Sequence, residues 1–397
     1  MTTPENALAG KSFARTGFPP TRLAVSGLFL LNGTFAGAWA PKIPEFAARL
    51  GLTEAGLGLM IMCFGIGSLV LMPIAGVLIA HFGTTPTVKG ATILFLTTML
   101  LLSVAPTIPL GAIAIFLFGG LMGGMDVAMN GNAVEVEKSM RRAIMSSCHA
   151  FWSLGAFIGA TTGGFLMEAL GVTGHAVLLT VAGAAMLVLV WPRILHDAPH
   201  PGEERRKVRL PLTPLPWLIG LMALFCMVPE GAILDWGALY MRNELGASLA
   251  LSGFAFGTFS LTMAVMRFAG DHVRDRFGAV KTLRLCTVMA ILGMVVAGMA
   301  PNAYVAMAGF ALCGVGISNM VPIAFSAAGN LPGYAQGVAL SVATVMGYSG
   351  SLFAPSVIGF IAEHVGFAMI FTLLPVLFIV VLALSHHAVH ADVRERH

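Results

Sequence analysis

The chain has 397 residues, of which 57% are hydrophobic and only 10% are charged, and its formal net charge is +4. Its mean hydropathy is +0.88, whereas soluble domains carry about 25% charged residues, so a water-soluble globular protein is excluded. The apolar stretches are continuous and longer than strands, which excludes a membrane β-barrel, where polar and apolar residues alternate. The composition therefore predicts an all-α membrane protein with several spans.

Apolar runs separated by proline, glycine and charge predict twelve transmembrane helices. The segments are 22–46, 55–80, 86–105, 108–133, 143–169, 174–195, 214–244, 249–270, 279–299, 302–327, 333–363 and 365–388. With the amino terminus inside, all basic residues except Lys42, Arg49 and Arg242 fall on the cytoplasmic side. Because positive charge is retained in the cytoplasm, we expect both termini there and the protein in the inner (plasma) membrane.

The two halves of the chain resemble each other at a shift of 195 residues. The matches include Gly51 with Gly246, Gly83 with Gly278, Gly155 with Gly350, Glu168 with Glu363, and Gly171 with Gly366. A shift that holds across several regions predicts two duplicated six-helix bundles. The expected division is a cytoplasmic tail (1–21), an N-terminal bundle (22–195), a cytoplasmic linker (196–213), a C-terminal bundle (214–388) and a second tail (389–397).

Parallel repeats of this kind resemble the major facilitator architecture, in which the substrate site lies near the midplane between the halves. The superfamily's loop signature, roughly Gly-x-x-x-Asp-Arg-x-Gly, is retained in part. Its matches are Gly76, Gly83, Asp275, Arg276 and Gly278, with Ala80 in place of the first acidic residue and Asp271 in place of the second copy's first glycine. These residues predict a cytoplasmic gating motif; the alternative is ordinary topology charge in a short loop.

Ionisable side chains within the spans are candidates for proton coupling, because each costs about 2.5–3.5 kcal/mol there. Asp126 in span four and His149 in span five lie at similar depths, where a carboxylate and an imidazole could share a proton. Glu230 and Asp235 lie in span seven beside Pro229, which favours a kink. The alternatives are structural hydrogen bonds for Asp126 and His149, and hydration near the outer end for Asp235.

Neutral polar and aromatic residues in the spans are candidates for binding a polyhydroxylated substrate. They are Asn32, Trp39, Asn130, Trp152, Trp236, Asn319 and Tyr348. Each of them taken singly could instead be a helix-packing contact or an interfacial anchor. No cofactor, metal site or nucleic-acid partner is expected, since the five cysteines have no ligand spacing and the basic residues form no patch. The expected partners are the bilayer and a small molecule, and the expected state is a monomer.

Several of these segments resemble the fucose:proton symporter family. Residues 40–46 (Ala-Pro-Lys-Ile-Pro-Glu-Phe) are similar to that family's Asp-Pro-x-x-Pro-x-Phe, and Asp126 is followed four residues later by Asn130. Residues 149–156 (His-Ala-Phe-Trp-Ser-Leu-Gly-Ala) are similar to its Gln-x-Phe-Asn-Ser-Phe-Gly-Ala. Residues 230–236, with Glu230, Asp235 and Trp236, are closer still to the rhizopine-transport, MosC-like branch.

The resemblance implies proton-coupled uptake of a sugar or cyclitol, with Asp126 in the position of the symporter's proton carboxylate. The symporter's acidic residue in span one falls on Ala40 here, and the 195-residue shift relates Ala40 to Asp235. Ligands of the rhizopine type are amino cyclitols, and a cationic amine would suit Glu230 beside Trp236.

The resulting hypothesis is a secondary transporter that works by alternating access, with the proton as coupling ion. Two alternatives stay open: efflux of an amphipathic compound or drug by proton antiport, and a transporter-like receptor that binds a ligand without flux. An enzyme is not expected, because the spans hold no nucleophile–base or metal constellation, and a nucleotide-driven pump is not expected, because the chain has no Gly-x-x-x-x-Gly-Lys-Ser/Thr motif.

Overall fold

The computed structural model of the chain describes residues 19–140, 144–197, 213–332 and 338–392. These residues form fifteen α-helices and three short 3₁₀-helices, with no β-strand among them. In the N-terminal half the α-helices are α1 (Pro20–Trp39), α2 (Ile43–Leu50), α3 (Glu54–Phe82), α4 (Thr84–Leu96), α5 (Thr98–Val104), α6 (Ile108–Met140) and α7 (Met145–Val190). In the C-terminal half they are α8 (Leu215–Asn243), α9 (Leu249–Ser252), α10 (Phe254–Phe277), α11 (Ala279–Gly298), α12 (Ala303–Ile317), α13 (Met320–Gly329), α14 (Val338–Leu373) and α15 (Pro375–Leu384).

Ten helical stretches of the described residues are long and apolar enough to cross a membrane. Two of them, Ser147–Arg193 and Val342–Ala391, are 47 and 50 residues long. Each contains one glycine with non-helical backbone, Gly171 (φ 73°) and Gly366 (φ 79°). A positive φ is readily adopted only by glycine, so the chain turns at these two positions. Both turns lie near boundaries that the sequence predicted between neighbouring spans.

The 195-residue shift relates backbone conformation as well as residue identity. The described residues contain six glycines with positive φ, and all six fall into pairs at this shift: Gly51 with Gly246, Gly83 with Gly278, and Gly171 with Gly366. The φ values within each pair differ by 11° or less. The two halves therefore turn at equivalent positions.

Glycines bring helices α1 and α7 into backbone contact. Gly33 and Gly37 of α1 lie directly against the carbonyl groups of Trp152 and Ala156 in α7. In the opposite direction, Gly155 of α7 lies against the carbonyl group of Leu30. Small residues permit this approach in a membrane, where helices associate through close packing.

The two halves meet through reciprocal contacts at one end of the molecule, which we call the closed end. Glu168 of α7 accepts a hydrogen bond from the backbone N–H of Ala250 (2.8 Å) at the start of α9. Glu363 of α14 accepts one from the backbone N–H of Ala55 (3.0 Å) at the start of α3. The 195-residue shift relates both acceptors and both donors. Each half therefore caps a helix of the other half.

Further contacts reinforce the closed end. Gly58 of α3 lies against the backbone of α14, where the Ser356 hydroxyl donates to the Gly58 carbonyl oxygen (3.1 Å). Gly253, related to Gly58 by the same shift, lies against the backbone of α7. An ion pair between Glu45 and Arg242 also joins the halves.

The opposite end, which we call the linker end, has a second pair of symmetric caps. The Asp197 carboxylate accepts from the backbone N–H groups of Thr84 (2.7 Å) and Thr85 (3.0 Å), which begin α4. Asp392 accepts from the N–H of Ala279 (2.9 Å), which begins α11. Asp197 and Asp392 are also 195 residues apart, and each follows the last helix of its half.

The predicted gating motif lies at this linker end. Gly83 and Gly278 end α3 and α10 with positive φ, and Asp197 and Asp392 lie beside them. Gly76 is exposed within α3, with open space where a side chain would extend. Arg276 is also exposed, and its guanidinium lies 5.7 Å from the centre of the adjacent Phe277 ring. The contact to the C-terminal segment is made instead by Arg274, which donates to the carbonyl oxygen of Ala391. The side chain of Asp275 lies outside the described residues.

The cap formed by Asp197 gives a prediction about stability. Burial raises the pKa of this carboxyl group, but the hydrogen bonds from Thr84 and Thr85 outweigh burial and hold the pKa below its ordinary value. A carboxylate with a depressed folded-state pKa stabilises the protein above its unfolded pKa of about 3.9, and this contribution is lost as the pH falls through the folded pKa. We expect Asp197→Asn, which keeps an acceptor oxygen but removes its charge, to cost about 1 kcal/mol at neutral pH, because hydrogen bonds to a charged acceptor are stronger than those to a neutral one.

Thermal unfolding of purified protein in detergent checks this prediction. The melting curves of wild type and Asp197→Asn should differ at neutral pH and converge as the pH is lowered. Asp392→Asn, which removes the equivalent cap from the other half, is the parallel variant. An equal difference between wild type and Asp197→Asn at neutral and acidic pH would contradict the assignment.

Candidate functional site

Two predicted carboxylates lie in the middle of long helices of opposite halves. Asp126 lies near the centre of α6, and Glu230 lies at the centre of α8. Both side chains are half-buried. Asn130, one turn after Asp126, donates to the Asp126 backbone carbonyl (2.8 Å) and is close to its carboxylate. Because the two carboxylates are far from both helix ends, they are not groups of the membrane surface.

Arg267 of α10 connects the two halves at this depth. Its Nη1 donates to the hydroxyl of Ser153 in α7 (2.9 Å). Its Nη2 lies 3.8 Å from Glu230 Oε1, and the two side chains are 17% and 24% exposed. A separation of 3.8 Å is too long for a hydrogen bond, so the pair is held by charge attraction alone. The guanidinium thus offsets the charge of Glu230 and contacts the opposite half.

The structure assigns different neighbours to His149 from those that the sequence predicted. Its ring packs edge-on against Phe29, with 5.2 Å between ring centroids. Its charged neighbour is Arg267, which lies close enough to act on it electrostatically. The contacts of the described residues do not include a hydrogen bond between His149 and Asp126, so the predicted carboxylate–imidazole pair is absent from this conformation.

Tyr348 of α14 completes the cluster. Its side chain is 40% exposed, and it interacts electrostatically with both Asp126 and Glu230. Tyr348 is related to Ser153 by the 195-residue shift, so equivalent positions of the two halves face the same region. We call Asp126, Glu230, Arg267, Ser153 and Tyr348 the central cluster.

Asp235 and Trp236 lie apart from this cluster. Helix α8 continues without a break past Pro229, so Glu230 and Asp235, five residues apart, point to different sides of the helix. Asp235 is half-buried and makes no hydrogen bond or ion pair within the described part of the chain. Trp236 is 0% exposed and stacks on Phe367 (5.3 Å between centroids). Trp236 therefore cannot contact a ligand in this conformation.

Three other candidate residues make contacts between helices. Trp152 Nε1 donates to Asn32 Oδ1 (2.9 Å), and Asn32 Nδ2 donates to the carbonyl oxygen of Met122 (3.3 Å). Trp39 packs among aromatic residues, including Phe118, whose ring centroid is 5.9 Å away. These contacts match the packing alternative that the sequence left open for each residue.

Asn319 has a different setting from the central cluster. It lies between α12 and α13, where its amide donates to the Ser318 hydroxyl (3.1 Å). Its side chain is 8% exposed and neighbours Cys286 of α11. Asn319 thus supports a helix break within the C-terminal half.

Sequence reasoning missed Arg267 and Ser153. Arg267 was counted among the cytoplasmic charges because it lies near the end of the predicted segment 249–270. Helix α10 instead continues to Phe277, which leaves Arg267 ten residues, or roughly 15 Å, from the helix end. Gly278, which repeats the turn glycine Gly83, was the signal that could have placed this helix end correctly.

Lys42, which the orientation argument put on the outer side of the membrane, is a buried cation. Its side chain is 1% exposed, and Nζ donates to the Ser103 hydroxyl (3.0 Å) and the Val172 carbonyl oxygen (3.0 Å). Arg49 donates to the backbone carbonyl groups of Leu102 and Ser103. These two cations therefore satisfy backbone and hydroxyl acceptors of the N-terminal half.

Two helical halves related by an internal repeat, with ionisable side chains between them at mid-depth, define the class of secondary membrane transporters. Comparison with known proteins gives the family. The profile of the Major Facilitator Superfamily matches residues 25–240 and 221–396, and the chain belongs to this superfamily.

Curated relatives match over most of the chain. An MFS-type transporter of Yersinia pestis is 35% identical over 369 residues, which cover 91% of this chain and 93% of the relative. A transporter of Sinorhizobium fredii is 34% identical over 352 residues, covering 87% and 91%. The membrane protein MosC of Rhizobium meliloti is 32% identical over 348 residues, covering 87% and 84%.

Solved structures show the same fold. The nucleoside transporter NupG superposes with a TM-score of 0.68 at 11% identity, covering 92% of this chain and 98% of its own. The fucose:proton symporter FucP of E. coli superposes with a TM-score of 0.61 at 18% identity, again covering 92% and 98%. The protein is thus a multi-pass membrane protein with the major facilitator fold, as the sequence resemblance implied.

Proposed function

We propose that this protein is a proton-coupled secondary transporter that takes up a small polar organic molecule of the size of a sugar, polyol or amino cyclitol. The observation that carries the proposal is the central cluster. Its two carboxylates, Asp126 and Glu230, come from opposite halves and lie mid-helix. Placing an ionisable group at this depth costs free energy, so such a group is a candidate for function. The relatives of Yersinia pestis and Sinorhizobium fredii are described as transporters, and FucP, which shares the fold, is a fucose:proton symporter.

The proposed topology has twelve spans with both termini in the cytoplasm of the inner membrane. The ten candidate stretches become twelve when the two longest are divided at Gly171 and Gly366. The linker end then faces the cytoplasm, and the closed end faces outwards. The proton is the only coupling ion in this scheme, and the transporter acts as a monomer.

The proposed cycle moves the central cluster between the two sides of the membrane. In the conformation described here, contacts of Glu168 and Glu363 hold the outer side shut. Proton and substrate binding would favour a state in which these contacts are broken, because a ligand shifts a two-state equilibrium only through different affinities for the two states. Asp126, whose half-buried carboxylate lies near Tyr348, is the first proposed proton site, and Glu230 of the opposite half is the second.

A flux assay tests the proposal. The purified protein is reconstituted into liposomes that enclose a pH-sensitive dye, and neutral sugars, polyols, cyclitols and their aminated and carboxylated analogues are added outside. We expect at least one compound to acidify the lumen, because uptake carries a proton inwards. Asp126→Asn should reduce this acidification by roughly 100-fold while substrate exchange persists, and Asp126→Glu should retain part of it.

The same assay separates the other functions that the sequence left open. Alkalinisation of the lumen on addition of a compound would indicate proton antiport instead of symport. Binding without any flux would indicate a receptor. Undiminished acidification in Asp126→Asn would remove Asp126 from the coupling role, and liposomes without protein provide the background.

A further inference from the structure

Arg267 is a cation that lies within the membrane between the two halves. A charged side chain at this depth is expensive and marks a functional site by default. The arrangement also departs from the internal repeat: Ser153 has its counterpart in Tyr348, but the counterpart of Arg267 is Met72. The central cluster therefore has one cation, on the C-terminal half only.

The contacts of Arg267 leave most of its hydrogen-bonding capacity unused. A guanidinium has five N–H donors in a planar fork, and one of them is used by Ser153 (2.9 Å). Glu230 lies 3.8 Å from Nη2 and is not within hydrogen-bond range. No other hydrogen bond of Arg267 occurs among the described residues. A guanidinium that is partly exposed and loosely paired can bind a carboxylate by donating two parallel hydrogen bonds to it.

We propose that Arg267 is the substrate-binding cation of this transporter, and that the substrate is a small polyhydroxylated carboxylate which replaces Glu230 as the partner of Arg267. This inference rests on the proposed transport function and names its substrate class. When the substrate carboxylate pairs with Arg267, Glu230 loses its counterion and takes up a proton. Anion and proton therefore bind together, and the charge of the pair is unchanged.

The groups around Glu230 and Arg267 are compatible with this exchange. Cys226 lies on the same helix as Glu230, and Cys313 of α12 and Tyr348 of α14 lie near it; thiols and phenols ordinarily titrate above neutral pH. His149 of α7 lies near Arg267. Arg267 is thus the one guanidinium or ammonium group described in this region, with Asp126 as the remaining carboxylate.

The same geometry disfavours the amine that the sequence suggested as a partner for Glu230. An ammonium group beside Glu230 would lie next to the guanidinium 3.8 Å away, and like charges at this separation repel. Trp236, the other group expected to hold the amine, is fully buried against Phe367. A carboxylate on the substrate has an attractive partner in place.

The test compares matched pairs of compounds by thermal stabilisation of the purified protein: glucuronate with glucose, gluconate with glucitol, and quinate with inositol. We expect the acid of at least one pair to raise the melting temperature at concentrations where its neutral partner has no effect. The acid should bind more tightly at about pH 6 than at about pH 8, because Glu230 must be protonated. Glucosamine serves as the cationic comparison.

Variants assign the effect to Arg267. Arg267→Lys should weaken binding of the acid by at least about tenfold, since the bidentate fork is lost. Glu230→Gln should bind the acid with little dependence on pH, because the competing carboxylate is gone. Arg267→Gln combined with Glu230→Gln removes both charges, so it avoids an unpaired buried charge and controls for folding; it should bind neither acid nor amine.

Three outcomes would overturn the inference: equal stabilisation by acid and neutral partners, no stabilisation by any acid, or unchanged acid binding in Arg267→Lys. Failure here differs from failure of the proposed function. If a neutral compound drives proton flux into liposomes, transport stands and the carboxylate assignment falls. If the acids bind through Arg267 without any proton flux, the substrate site stands and proton coupling falls.

Discussion

Alanine at Gly155 should destabilise the protein strongly, whereas alanine at Gly350 should be tolerated. The two positions are equivalent under the 195-residue shift, but their surroundings differ. A Cβ atom at Gly155 would overlap the backbone carbonyl of Leu30 in α1, while one at Gly350 would meet the side chains of Val228 (2.7 Å) and Leu224 (2.8 Å). Side-chain termini can rotate away, but the backbone of a packed helix cannot.

The expected cost of Gly155→Ala is about 3 kcal/mol, the upper part of the usual range for overpacking. For Gly350→Ala the expected change is within about 1 kcal/mol, because helix propensity favours alanine and offsets part of the strain. The two variants are purified in detergent and compared with the wild type by their size-exclusion profiles and melting temperatures. Equal melting temperatures for the two variants would mean that α1 and α7 can separate, contrary to the packing described here.

Removing Glu168 and Glu363 together should open the closed end. Each carboxylate caps a helix of the other half through a backbone N–H group, Ala250 or Ala55, and a side-chain acceptor at this position stabilises the start of a helix. Loss of both caps, in Glu168→Ala with Glu363→Ala, should shift the equilibrium towards a state in which the closed end is open, and by more than either single variant does. Glu168→Ala alone should shift it by roughly fivefold, the effect of losing one helix cap, and Glu363→Ala alone should shift it in the same direction.

Hydrogen–deuterium exchange measures this shift without labelling. Amides in residues 53–58 and 248–253, which begin the capped helices, should exchange faster in the double variant than in either single variant. Glu244→Ala is the matched control, because Glu244 accepts from the N–H groups of Phe367 and Ala368 within its own half. Faster exchange at residues 53–58 in the control variant would show that general destabilisation, not separation of the halves, is responsible.

Many features of the fold could be predicted from the sequence because they depend on local chemistry. The length of the apolar runs predicted the helices, and the glycines that interrupt these runs predicted breaks near Gly171 and Gly366, where the chain turns. The 195-residue shift paired Glu168 with Glu363 before any contact was known. It could not reveal that each glutamate caps a helix of the opposite half, since that depends on how two bundles meet.

The candidate site was predictable only in part. Asp126 and Glu230 stood out because a carboxylate within an apolar run is costly, and both lie mid-helix in the structure. The predicted partnership of Asp126 with His149 does not occur in this conformation, because equal depth on neighbouring helices does not fix which way two side chains point. Arg267 was overlooked because its position near a predicted boundary resembled that of a loop charge.

The sequence by itself determined the membrane class, the repeat and the presence of carboxylates in the spans, since each follows from the cost of placing polar groups in lipid. Only the tertiary structure decided which of these groups act together. Ser153, Glu230 and Arg267 lie on three helices from two halves, and no spacing along the chain records a contact of that kind. Their association depends on the packing of helices that are separated by a hundred residues, through glycines that permit close backbone approach.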